Sequence, residues 1–415
     1  MYRRLLVALI VSQVAMYMFE TSLYWTVLEL TGSAVLVSLL LVSIVVPVLI
    51  LTIPVGIFVD RNGPSRLLRS AAVVAAVVGA IAAIVTAVSG LSFEIAVLLA
   101  VAEGIFFGCW AIPAQVLASR VVDRDQMPSA IGLSALPSGV GAVVGGLGGG
   151  IVLQLTGPAI AFAVAAAGLT LSAVVMAGLP TLAGLGHSGG RALAVGDMRD
   201  AFGWARHSPV GLAVIALGSA AGFLVMSRFG LVPVLVHDVL RAGPAALGLI
   251  VMAGGIGSIL GTVVTDASGR RLRRGPVLLT ALGIAGLALI VLGSAPHLAV
   301  ALLAAGAITG SLIVYHVTSM TVLQVLAPAR MRGRVLAIYD LVRLGTVPPG
   351  SLTAGLLVPA IGVTGVFLAF GGLVVVAVLV ATIVLRPLIA LELKAVPIDA
   401  TPTDEHELSG GRVAG

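Results

Sequence analysis

From residue 5 to residue 386 the chain is a succession of long apolar runs, broken by short polar turns and by one longer hydrophilic stretch, His187 to His207, near its middle. A run of about 20 apolar residues crosses the hydrocarbon core of a bilayer as one helix. Inside lipid every backbone amide must find its partner within the protein, and a helix satisfies them all by itself. The runs read as spans at 5–29, 34–58, 68–89, 92–118, 128–155 and 157–180, then 209–236, 243–265, 276–294, 297–325, 334–358 and 361–386. Hydrophobic residues make up 59% of the 415 and charged residues only 10%, against about 25% charge in soluble domains. A water-soluble globule is thereby excluded. The expectation is an all-α integral membrane protein with 12 transmembrane helices.

Charge fixes the expected orientation. Of the 23 basic residues, all but Arg228 and Arg241 fall in alternate loops, at adjacent helix ends or at the termini. The Arg61/Arg66/Arg69, Arg120/Arg124, Arg191/Arg199/Arg206, Arg270–Arg274 and Arg330–Arg334 clusters mark one side, and the opposite turns are short and nearly free of basic charge. That is the positive-inside pattern, and it places both termini in the cytoplasm. It also accounts for the net charge of +6 without nucleic acid as a partner. Met1–Arg4 leads straight into the first run with no small-residue cleavage site, so the run reads as a span and not as a signal peptide. The single cysteine, Cys109, rules out an intramolecular disulfide and a cysteine-rich metal site.

One short stretch carries most of the remaining information. Gly56, Asp60, Arg61, Gly63 and Arg66 fit G-x-x-x-D-R-x-G-x-x-R between the second and third spans. Gly63 permits a tight turn, and Pro64 ends one helix and starts the next. Asp60, at the end of a span, is placed to pair with a basic group or a helix N-terminus. The pattern resembles the loop between helices two and three in the major facilitator superfamily of secondary transporters. A weaker copy holds Gly261, Asp266, Gly269 and Arg270, with Ala267 in place of the arginine. Residues 127–157 likewise recur at 331–362. Parallel six-helix repeats of this kind match the two halves of that superfamily's fold. The resemblance implies two pseudo-symmetric six-helix bundles, at 1–180 and 208–390. A central cytoplasmic segment (181–207) would join them, and a disordered polar tail would follow from 391.

Within that resemblance, Gly132, Gly141, Gly145 and Gly149 look like the antiporter motif of the drug exporters, although Gly146 stands where a proline is expected. Their bland alternative is close helix packing through small residues. Two further stretches, Arg332–Gly355 and Glu29–Ser33, resemble the exporters of siderophores and macrolides. The resemblance implies a multi-pass protein of the bacterial inner membrane, working as a monomer by alternating access. It would export small hydrophobic or amphipathic compounds in exchange for protons. Asp60, Arg61 and Arg66, with Asp266 and Arg270, would form a cytoplasmic latch. A nutrient importer and a non-transporting or lipid-moving homologue are the alternatives.

Charges inside spans are costly and ask for a role. Glu20, Glu103 and Arg228 fall in spans one, four and seven, which line the central cavity in the fold the chain resembles. Arg228 is placed to bridge to Glu20 between the halves, with either glutamate as the proton carrier; a fixed structural pair is the bland reading. Many facilitators carry an arginine followed by glycine in span four, where this chain has Glu103-Gly104, so that coupling scheme does not carry over. Tyr17 and Trp110 are the candidate substrate contacts. His316 is expected to hydrogen-bond a neighbouring helix and not to bind metal. No nucleotide-binding loop G-x-x-x-x-G-K-[ST] and no catalytic set is present, so neither an enzyme nor a cofactor is expected.

Overall fold

A computed structural model describes residues 2–121, 136–178, 202–268 and 274–384. Gly132, Arg270, most of the central segment and the tail lie outside these residues, as does the side chain of Asp266. Ten helices each coincide with one expected span. They are α1 (Tyr2–Thr31), α2 (Ala34–Asn62), α3 (Pro64–Val88), α4 (Phe93–Val121), α5 (Leu136–Thr156), α6 (Pro158–Ala177), α7 (Pro209–Val239), α8 (Pro244–Ser268), α9 (Arg274–Gly293) and α10 (Leu298–Leu326). The last helical stretch, Arg332–Val384, has 53 residues. A straight helix of that length would reach roughly 80 Å, far more than a bilayer accommodates. Gly362 breaks it with φ 72° and ψ 163°, leaving α11 (332–361) and α12 (363–384), and hence twelve spans.

The break has a counterpart. Gly157, between α5 and α6, has φ 84° and ψ 175°, nearly the same conformation, and lies 205 residues earlier. In that region of backbone space only glycine is comfortable. The internal repeat is therefore visible as one turn used twice. Gly63, with φ 84° and ψ 155°, joins α2 to α3 in the same way, and Pro64 opens α3.

Packing repeats as well. In the first half α1 packs on α5, α2 on α4 and α3 on α6; in the second α7 packs on α11, α8 on α10 and α9 on α12. Small residues set the approach. Gly104 lies against the Ile44 backbone, Gly257 and Gly261 against Gly306 and Gly310, and Gly286 against Gly371 and Val374. Ser and Thr hydroxyls inside the helices donate to carbonyls one turn back, as Ser22 does to Met18 at 2.8 Å and Thr26 to Ser22 at 2.7 Å, so few polar side-chain groups face lipid unpaired.

The halves meet along two seams, α5 on α8 and α2 on α11 with the neighbouring part of α7. In the first, Gly146 faces Val251 and Gly150 faces Pro244 and Gly248; further along, Gln154 Oε1 accepts from the Ala245 amide at 3.1 Å. In the second, Ser351 donates to the Ser38 carbonyl at 3.1 Å, and Gly230 and Gly355 lie against Ser38. The ring of Trp25 meets His237 edge-on, 6.0 Å between centroids. These contacts concentrate towards the end of the bundle that carries the short turns.

Candidate functional site

A cavity of about 330 Å³ lies between the halves. Its walls come from α1 and α5 on one side and α7, α8 and α10 on the other. Most of the lining is apolar. Its two charged side chains come from different halves, Glu20 from α1 and Arg228 from α7; the other polar side chains are hydroxyls, among them Tyr17 and Tyr24 of α1, Ser138 of α5, Ser258 and Thr262 of α8, and Thr309 of α10. Glu20, Arg228 and Thr309 are each eleven residues from the turn-bearing end of their helix, roughly 16 Å at 1.5 Å per residue. All three therefore sit at one level near the bilayer midplane.

Arg228 is held by neutral groups. Its Nη2 donates to Thr309 Oγ1 at 2.9 Å, its Nη1 donates to the Val225 carbonyl at 3.4 Å, and its Cζ stands 4.2 Å from the centre of the Phe229 ring. Thr309 in turn donates to the Ala305 carbonyl at 3.1 Å, which fixes the orientation of its oxygen. The expected bridge to Glu20 is not made. Both residues face the same cavity, but no ion pair joins them among the described residues. Tyr17 lies within electrostatic reach of both.

The other acid is elsewhere. Glu103 does not line the cavity between the halves. It is 7% exposed and borders a separate small pocket inside the first half, among Met16, Phe19, Gly79, Phe106 and Leu169. Its Oε2 is buried without a hydrogen-bond partner. α1 thus separates Glu103 from the space Glu20 faces. Trp110 is likewise corrected: it is 6% exposed, stacks against Phe107 at 6.3 Å, and packs in the core of the first half with Phe106 and Ala114. Of the two aromatic candidates only Tyr17 reaches the cavity.

The glycine motif is resolved into two faces. Gly141, Gly145 and Gly149 lie on Gln13, Val14 and Met18 of α1, within one half, while Gly146 and Gly150 face α8 across the seam. Around Gly141–Gly146 the helix widens to π geometry. At the charged end Gly63 and Pro64 are buried, whereas Asp60, Arg61 and Arg66 are exposed and make no ion pair among the described residues. The expected pairing of Asp60 is thus not seen in this conformation.

A second polar cluster escaped sequence reading. His316 of α10 stacks on Tyr339 of α11, with centroids 5.9 Å apart and planes at 20°. One turn further on, Arg343 contacts Asp340 at 3.3 Å. His316 Nδ1, the Tyr339 hydroxyl and Arg343 Nε are buried without hydrogen bonds, so His316 stacks where it was expected to hydrogen-bond. Arg343 had been counted with the loop charges, yet it lies eleven residues inside α11. An acid and a base three residues apart in an apolar run were the available signal.

Comparison with known proteins points one way. The family profile described as a transmembrane secretion effector (MFS_3) matches residues 1–408. The multidrug efflux pump Tap of Mycolicibacterium fortuitum is 27% identical over 369 residues, covering 83% of this chain and 86% of that protein. Among solved structures, a POT family transporter in complex with 5-aminolevulinic acid superposes with a TM-score of 0.76 at 11% identity, over 93% of this chain and 96% of that one. The nucleoside transporter NupG gives 0.74 at 12%, over 92% and 99%. A bacterial homologue of the human lysosomal transporter Spinster gives 0.72 at 14%, over 95% and 99%. At such identities the solved structures speak for the fold alone.

Proposed function

This chain belongs to the MFS_3 family of transmembrane secretion effectors, and on that premise we propose that it exports small amphipathic organic compounds in exchange for protons. One observation carries the reading. A mid-depth cavity lies between two six-helix halves, with an acid and a base on opposite walls, and the seam at one end of it is tightly made. Such a cavity is the working part of an alternating-access machine. The similarity to Tap, a multidrug efflux pump, supports the outward direction.

The charged end is assigned to the cytoplasm by the positive-inside bias. The glycine seams are then extracellular, and the conformation described faces inward. Asp60, Arg61 and Arg66 form a latch that engages when the cytoplasmic end closes, which accords with their exposure and their lack of an ion pair among the described residues. Glu20 is the proton carrier, because it alone of the two intramembrane glutamates faces the cavity. It takes a proton when the cavity opens outward and releases it to the cytoplasm, where cargo binds next.

The test uses inverted membrane vesicles containing the purified protein, acidified inside. Uptake of a panel of hydrophobic dyes and antibiotics is followed, with Glu20→Gln and Asp60→Asn alongside. The expected result is uptake that collapses with a protonophore and in both variants. Uptake in right-side-out vesicles only would reverse the direction to import. No uptake of any compound would favour a non-transporting homologue.

A further inference from the structure

We propose that the cavity is built for zwitterionic amphipathic cargo: an anionic group seated on Arg228 and an ammonium group on Glu20, with the apolar body against α8 and α10. The inference deepens the transporter reading and rests on it.

The argument begins with Arg228. It is 5% exposed, and a buried guanidinium without a counter-charge is expensive. Its partners are a threonine hydroxyl, a backbone carbonyl and a phenyl ring. They orient the guanidinium and leave its charge uncompensated. The acid at the same depth, Glu20, is on the opposite wall and not paired with it. A fixed structural pair would have closed; here the space between is open. The two charges are therefore available to a ligand that brings both complements.

A purely anionic cargo fits the coupling poorly. An anion on Arg228 would favour a proton on Glu20, so cargo and proton would bind together. A purely cationic cargo would be repelled by Arg228. A zwitterion resolves both: its ammonium displaces the proton from Glu20, giving exchange, while its anion settles on Arg228 in a charge-assisted, two-pronged contact. The cavity volume of about 330 Å³ lies in the range of drug-sized ligand sites, and its mostly apolar lining calls for an apolar body beside the charges.

The test is equilibrium binding to the purified full-length protein, independent of transport direction. The probes are Nε-dansyl-lysine, a zwitterion with an environment-sensitive fluorophore, its methyl ester, which lacks the anion, and its Nα-acetyl derivative, which lacks the cation. The zwitterion is expected to bind at least about tenfold more tightly than either relative, the scale of one charge-assisted hydrogen bond. Arg228→Gln should reduce the zwitterion to the level of the ester and leave the ester bound at least as tightly as by the wild type, since the repulsion from the guanidinium is gone; retained ester binding also serves as the check on folding. Glu20→Gln should reduce it to the level of the acetyl derivative. Arg228→Lys keeps the charge and should retain part of the preference. Equal binding of the three probes to the wild type, no binding of the zwitterion, or a preference that survives both neutral substitutions would overturn the proposal. Failure of vesicle uptake alongside intact zwitterion selectivity would instead strike at the exporter reading.

Discussion

Glu20 and Glu103 lie at similar depth, yet one lines the space between the halves and the other is buried among helices of the first half. Their substitutions should separate cleanly. Glu20→Gln is expected to bring gradient-driven uptake down to the level of vesicles without a gradient. Glu103→Gln should leave uptake within about twofold of wild type, since its side chain does not line the cavity between the halves. Equal losses in the two variants, measured in the same vesicles, would refute the assignment. This distinction was not legible in the sequence. Depth can be counted along a helix at 1.5 Å per residue, but facing depends on rotation, and one residue turns the helix by about 100°. Tyr17 and Glu20, three residues apart on α1, share a face and both proved to line the cavity. Glu103 and Trp110 of α4 were expected at the central cavity and do not line it, because the face of α4 is decided by its packing on α2 and α3, which no local pattern records.

At the scale of the helix, α5 explains why a glycine motif is a weak guide to mechanism. Its two glycine faces do different jobs. A Cβ on Gly145 would run into the Val14 backbone within one half, and a Cβ on Gly150 into Pro244 and Gly248 across the seam. Overpacking of this kind costs about 1–3 kcal/mol. Gly145→Val is therefore expected to lower the melting temperature of the purified protein. Gly150→Val should instead loosen the α5–α8 seam, raising thiol labelling of a cysteine at position 154 while folding persists. The same melting loss in both, with no change in labelling, would contradict the two-face account. The turns were easier to foresee. Gly63, Gly157 and Gly362 sit where apolar runs are interrupted, and all three hold backbone angles suited to glycine. Gly362→Ala is expected to cost about 1–3 kcal/mol, read as a lower melting temperature.

Across the whole molecule, the pairing of α1–α5, α2–α4 and α3–α6 repeats as α7–α11, α8–α10 and α9–α12. The two seams, α5–α8 and α2–α11, exchange under the same correspondence. Much of this was open to reading from the sequence. Apolar run lengths gave the spans, the alternation of arginine gave an expected orientation, and the offset of about 205 residues gave the repeat. What could not be read was the set of contacts between halves. Those depend on how the helices of the two halves pack in one conformation, and Asp60, proposed as part of a latch, is exposed in the conformation described. The Asp340–Arg343 and His316–Tyr339 contacts were lost for a related reason, since a helix end and a helix interior look alike where a basic loop runs into a span.

The central claim is that cargo crosses because the halves separate at the glycine seams. Cysteines in place of Gln154 and Ala245, in a background with Cys109 replaced by serine, can be joined by a short thiol cross-linker, since the two residues already touch through a 3.1 Å hydrogen bond. Gradient-driven dye uptake would then be followed before cross-linking, after it, and after reduction. The account predicts that uptake stops with the link in place and returns when the link is cut. Uptake continuing at the unlinked rate through a fully cross-linked seam would contradict it.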